Sequence, residues 1–238
     1  MRSVEKNVAI GNYALDALTS ADNVIAIGHN AGGAITTGGN SVAIGFEALM
    51  THTTQAEATA VGYRAGKVLA GGAFGTTVVG VRAGGNITTG WGNTGFGHDA
   101  LWGENAAATG SQNVAVGYQA MRGATSSTAI SGNTNVAVGS NAMEDLTSGA
   151  SNVGIGHQGL TNLTTGSSNI ALGYRAGDNI TTGSNNVVIG TADVTATSSD
   201  QLSISSGDGS PVWITGTSDG TVNLPNSILT INGSVGSD

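Results

Sequence analysis

The sequence predicts an all-β protein, a parallel β-solenoid of eleven coils followed by a short β-rich segment. Three observations carry that prediction. A tetrapeptide of the Val-Ala-Ile-Gly type recurs with its glycine at Gly11, Gly28, Gly45, Gly62, Gly80, Gly97, Gly117, Gly139, Gly156, Gly173 and Gly190. The spacings are 17, 17, 17, 18, 17, 20, 22, 17, 17 and 17, so eleven units share a 17-residue period with one short and two longer insertions in the middle. The third is composition: 40 Gly among 238 residues, 2 Pro and no Cys. Gly is far above its usual ~7% share, while Gly and Pro together stay below the ~25–30% of aperiodic disorder. Collagen is excluded because Gly does not fall at every third residue.

Each element of the coil follows from a column of the repeat, with the glycine as position 0. Position −3 is β-branched throughout (Val8 and Ile25 through Ile170 and Val187), and position −1 is always apolar, from Ile10 and Ile27 to Leu172 and Ile189. Val-Ala-Ile is thus a short strand whose −3 and −1 side chains share one face. The glycine ends it where the chain must bend or adopt a positive φ. Position +3 is Ala in nine units and +7 is usually Leu or Ile, as at Leu18, Ile35, Leu146 and Ile180. Position +8 is Thr in eight units, often within Thr-Thr-Gly, which reads as a corner. A unit of this length is too short for two packed helices and suits one coil of a solenoid. Stacked at ~4.8 Å, the coils make a rod of about 50 Å. Asn at −4 in seven units (Asn7, Asn93, Asn113, Asn135, Asn152, Asn169, Asn186) predicts a stacked amide ladder.

Position −2 is Ala in seven units and Gly or Val in the others, never polar. A solvated strand face normally carries polar residues, so both faces are expected to be buried. The −2 column then reads as a small-residue patch that another chain covers. Rotational closure of such contacts gives a ring, and the expectation is an intertwined or side-by-side homotrimer. Residues 1–190 form the repeat shaft in this reading. Residues 191–238 read as short alternating strands at Gln201–Ser205, Val212–Thr215, Thr221–Leu224 and Ile228–Ile231, a cap for the open end of the solenoid.

Composition also excludes function classes. The formal charge of −8 argues against nucleic-acid partners and anionic membrane surfaces. No apolar run approaches the ~18 residues of a membrane span, and the first residues carry no secretory core. Without Cys there is no disulfide framework and no thiolate metal site.

Asn40-Ser41-Val42-Ala43-Ile44-Gly45, with close copies at Asn7–Gly11 and Asn113–Gly117, resembles the head motif of trimeric autotransporter adhesins. Asn169-Ile170-Ala171-Leu172-Gly173-Tyr174-Arg175-Ala176-Gly177, followed by Ile180-Thr181-Thr182-Gly183, resembles the repeats of phage and marine-virus tail fibres. Both resemblances imply a trimeric left-handed parallel β-roll presenting a binding surface outside the cell or virion. The 17-residue period exceeds the adhesin unit, and neither an export signal nor a membrane-anchor strand set is recognisable. Those departures favour a viral fibre or spike, located on the virion, with other fibre proteins and a host surface glycan or protein as partners. The alternatives are a bacterial surface adhesin head fragment and a monomeric ice-binding solenoid that uses the Thr column.

Gly154-Ile155-Gly156-His157-Gln158-Gly159 matches a dinucleotide fingerprint, but its glycines occupy the −2, 0 and +3 columns and no βαβ unit follows. His29, His98 and His157 share position +1 with Tyr63, Tyr118, Tyr174 and Phe46, which reads as a half-exposed rim rather than a metal site. No convergent polar set points to catalysis, so neither enzyme activity nor a cofactor is expected. Recognition is best sought where the period breaks, since loops on a rigid scaffold commonly carry it. The candidates there are Trp91, Trp102, Glu104, Asn105 and Arg122. An exposed Trp can stack on a sugar or partner ring, or Trp102 can cover the gap left by a misfitting coil, and the sequence leaves both open.

Overall fold

The computed structural model describes residues 6–69, 72–103, 107–123, 129–191, 194–207 and 209–225. It is an all-β solenoid of about eleven turns with no helix among those residues. Each repeat contributes one three-residue strand: β1 Val8–Ile10, β2 Ile25–Ile27, β3 Val42–Ile44, β4 Thr59–Val61, β5 Thr77–Val79 and β6 Thr94–Phe96. The series continues with β7 Val114–Val116, β8 Val136–Val138, β9 Val153–Ile155, β10 Ile170–Leu172 and β11 Val187–Ile189. Then come β12 Leu202–Ser205, β13 Val212–Gly216 and β14 Val222–Asn223. The strands form one 14-stranded sheet in chain order. Its register follows the glycine frame throughout, Ala9 facing Ala26 and Ala171 facing Val188. The longer spacings do not disturb it: Gly95 still faces Ala115 and Ala115 faces Ala137.

Two constraints place glycine at position 0. Gly45 has φ +132, and a β-carbon there would stand 2.3 Å from the carbonyl oxygen of Gly62 in the next coil. Gly62, Gly80 and Gly97 meet the next glycine at the same distance. The bend therefore needs both a backbone conformation that L side chains avoid and a direct approach of stacked backbones. Positions +2, +4 and −5 are left-handed as well, for example Glu47 (φ 54), Leu49 (φ 50) and Asn40 (φ 53). Each non-glycine residue held there costs roughly 1–2 kcal/mol. Inter-coil backbone bonds on every side of the coil offset that cost, among them Leu15 N to Ala31 O (3.1 Å), Thr19 N to Thr36 O (3.0 Å) and Asn40 N to Asp22 O (3.0 Å).

The strand faces are the reverse of what the small-residue column suggested. From the second coil onward position −2 is buried within a single chain: Ala26, Ala43, Ala60, Val78, Ala115, Ala137, Ala171 and Val188 are each 0% exposed. They pack with the +3 alanines and the +4 and +7 side chains into one continuous core. Position +4 is Leu or Met in some coils and Gly in others. Leu49 reaches over Gly66, whose β-carbon would lie 3.0 Å from Leu49 Cδ2, and Leu160 does the same over Gly177. The coil is thin, so small residues belong inside and no second chain is needed to cover them. The −3 and −1 residues point outward, and none of them is buried.

The amide ladder is present from Asn93 to Asn186. In each step Oδ1 accepts the backbone N–H of the next Asn, as from Asn152 to Asn169 at 2.9 Å, while Nδ2 donates to a corner carbonyl, Asn152 to Gly166 O at 3.0 Å. Towards the N-terminus Val24, Ser41, Ala58 and Thr76 hold the position and the ladder is interrupted, while in the first coil Asn7 Oδ1 accepts from Val24 N at 2.8 Å and its Nδ2 donates to Ala21 O at 3.0 Å.

The sheet continues beyond Gly190. β12 pairs in parallel with β11, Val188 facing Ser203, after a coil shortened to 15 residues, and Gln201 N donates to Asn186 Oδ1 at 2.9 Å. β13 and β14 then add in antiparallel fashion. The expected strand at 228–231 lies outside the described residues.

Candidate functional site

Between the strand and the Thr corner, side chains at equal offsets stack from coil to coil, so the surface is a set of parallel columns. At +1 the columns are aromatic. His29 stacks on Phe46 (centroids 5.2 Å apart), Phe46 on Tyr63 (5.4 Å), His98 on Tyr118 (5.5 Å) and His157 on Tyr174 (5.5 Å). The rings cover one another's faces, so within each stack they present mainly edges to solvent. Among the described residues no group of three or more His, Asp or Glu could hold a metal ion.

At +2 the columns are charged in the middle of the rod. Arg64 Nε donates to Glu47 Oε2 at 2.8 Å, and Lys67 Nζ lies 3.0 Å from the same oxygen. Burial pushes the Glu47 carboxyl up, but the bonds from Lys67 and Arg64 outweigh it and hold the group below its ordinary range. Arg82 binds both oxygens of Asp99, at 2.7 and 2.8 Å, and the Asp99 side chain is buried. The Arg82 guanidinium carbon also lies 4.2 Å from the centre of the Trp102 ring, a cation–π contact.

These side chains surround a surface groove of about 220 Å³ lined by Arg64, Lys67, Arg82, Gly85, Asn86 and Trp102. Its shape comes from position +5, which reads Lys67, Gly85 and Trp102 in three successive coils. Gly85 lets the Trp102 indole close down on the backbone: a β-carbon there would stand 3.0 Å from Trp102 Cδ1 and 3.3 Å from Nε1. Asn86 Nδ2 donates to Gly103 O at 2.6 Å, which ties the chain next to Trp102 to the preceding coil.

Of the five residues expected to carry recognition, Trp102 lines this groove. Arg122 follows it in the same +5 column, one coil on, where Gly103 N donates to Arg122 O at 2.8 Å. Its Nε lies 3.6 Å from Glu144 Oε1. Trp91 belongs to another column; it stacks on Phe74 at 5.6 Å and does not line the groove. Glu104 and Asn105 lie outside the described residues. Arg64, Lys67, Arg82 and Gly85 lie outside the insertions on which the sequence reading centres. Reading +2 and +5 as columns would have shown them, since opposite charges recur one period apart at Glu47/Arg64 and Arg82/Asp99.

In the Thr column the +8 hydroxyls donate along the rod, Thr19 to Thr36 O at 2.9 Å and Thr147 to Thr164 O at 2.9 Å.

The fold defines the chain as a β-solenoid repeat protein. Comparison with family models, curated proteins and solved structures finds no match.

Proposed function

We propose that the chain is a non-enzymatic structural and attachment subunit of a viral or phage fibre or spike, a homotrimeric shaft that presents a host-binding surface. The observation that carries this reading is the outward strand face. Its −3 and −1 columns are Val, Ile, Leu and Phe in most coils, and Ile10, Ile25, Phe96, Val116, Ile155, Ile170, Leu172 and Ile189 are all exposed in the single chain. Eleven strands at ~4.8 Å make this stripe about 48 Å long, and a width of about 10 Å puts it on the order of 500 Å². That is in the upper part of the ~300–600 Å² range of the largest apolar patch on a typical monomer, and such patches are often interaction sites. A narrow stripe running the full length of a straight rod suits rods packed side by side around an axis, and the tail-fibre resemblance supports three. The face that seals the assembly is thus −3/−1 and not the −2 column. Coils four to six carry Thr59, Thr77 and Thr94 at −3, so the contact is less apolar where the charged groove lies.

Light scattering on the full chain tests the reading. The expected mass is about 70 kDa, three times 23.3 kDa. The double variant Ile155→Lys/Leu172→Lys is expected to run as a monomer with an unchanged β-type circular dichroism spectrum. A wild-type chain that is monomeric at high concentration rejects the assembly.

A further inference from the structure

The groove on coils four to six gathers positive charge on an otherwise acidic chain. The chain has only seven Lys and Arg against fifteen Asp and Glu, yet Arg64, Lys67 and Arg82 meet in this one place. Arg82 is matched by Asp99, whose two oxygens it occupies. Arg64 and Lys67, in contrast, both turn to one oxygen of Glu47. Among the described residues three cations therefore share two carboxylates, and one positive charge is left over there on a protein of formal charge −8. The Arg64 and Lys67 side chains remain 39% and 29% exposed, so they can reach a ligand. Gly85 lies against the Cδ1–Nε1 edge of the Trp102 indole and adds no side chain of its own to the groove.

We propose that this groove binds the carboxylate of an acidic sugar, a single uronate-type residue of a glycan, with Lys67 and Arg64 receiving the anion and Trp102 bordering the ring. A cavity of about 220 Å³ is smaller than the ~300–1,000 Å³ that encloses drug-sized ligands, so it takes one small ring and not an oligomer. One surplus charge matches one carboxylate, whereas a polyanion would meet the net negative charge of the rod. Trp offers an apolar body with a polar edge, which suits the mixed surface of a sugar. The proposal deepens the attachment part of the reading above and rests on it, but it does not depend on the number of chains in the assembly.

The test uses the full chain carrying Trp91→Phe and Trp213→Phe, which leaves Trp102 as its only tryptophan. Its emission is titrated with sodium glucuronate, glucose and sodium acetate at constant ionic strength. The expected result is a saturable response to glucuronate in the millimolar range, at least tenfold weaker for glucose and for acetate. Lys67→Gln, which leaves the Arg64–Glu47 pair in place, is expected to weaken glucuronate at least tenfold, while Arg175→Gln, away from the groove, leaves it unchanged. No saturable response to glucuronate overturns the proposal. An equal response to acetate removes the sugar, an equal response to glucose removes the carboxylate, and binding that survives Lys67→Gln removes the groove. Light scattering on the same samples separates the two readings. A monomer that binds glucuronate keeps the site and rejects the trimer; a trimer indifferent to glucuronate does the opposite.

Discussion

His52 occupies position +7, where neighbouring coils place Ile35 and Leu69, and it is fully buried. Its Nδ1 lies 3.3 Å from Leu69 O, so that nitrogen carries the proton and donates, while Nε2 is buried without a hydrogen-bond partner among the described residues. Replacing it by Leu removes an unsatisfied buried acceptor, worth about 1–3 kcal/mol, but takes the donor away from the Leu69 carbonyl at a cost of about the same size. The expected net effect of His52→Leu near pH 8 is a change of less than about 1 kcal/mol. Acid magnifies the difference. Burial is the main cause that holds the His52 pKa below its ordinary 6.5, so below that pH the unfolded chain binds a proton the folded chain refuses. The wild type keeps its full stability above about pH 6.5. It then loses up to about 1.4 kcal/mol per pH unit on acidification, until the native ring itself accepts the proton. His52→Leu lacks this loss. Urea unfolding of both proteins at pH 8, 6.5, 5.5 and 5, followed by circular dichroism, measures it, because every other titrating group is common to the two and cancels. Free-energy curves that run parallel from pH 8 to pH 5 would refute the buried, neutral His52.

Three further outcomes follow from the packing of the coils. Gly45→Ala is expected to cost about 3 kcal/mol or more, from the left-handed backbone together with a 2.3 Å approach to Gly62 O, whereas Gly207→Ala, with nothing within 4 Å, is expected to be neutral; urea midpoints compare them. Asn152→Ala removes the acceptor of Asn169 N and the donor to Gly166 O inside the buried ladder, and is expected to cost about 3 kcal/mol, with amide exchange of Asn169 accelerating first. Thr134→Asn is expected to stabilise by about 0.5–1 kcal/mol, read as a raised melting temperature. A β-branched residue is held there at φ 57, and Asn23, Asn40 and Asn185 take the same position in other coils.

How much was legible in the sequence depends on whether a property belongs to a column or to the closure of the coil. The repeat fixes the strand, the bend and the corner because each rests on residues a few positions apart, and stacking copies the same demand eleven times. The glycine column could be read twice over, from conformation and from its recurrence. The Asn ladder was visible for the same reason: an amide that meets its own copy one coil on satisfies both its donor and its acceptor. Even the charged pairs at +2 were there to be read, one period apart.

The inside of the strand was not legible. A period of two shows that −2 opposes −3 and −1, but −2 and −1 are both apolar and −3 turns to Thr in only three coils, so polarity alone does not tell core from surface. Size decides it. Inside a coil this thin, Ala60 and Ala115 fit beside the +3 alanines and the larger +4 side chains, and Val, Ile and Phe are left outside, where they form the stripe. The groove likewise needs three dimensions, since Lys67, Gly85 and Trp102 lie 18 and 17 residues apart and meet only because the insertion between Gly62 and Gly80 is absorbed without shifting the register. The sequence by itself determined the repeating coil, because its causes are local and recur; the tertiary structure alone decided which face is buried and where charge gathers, because both depend on how tightly the coil closes.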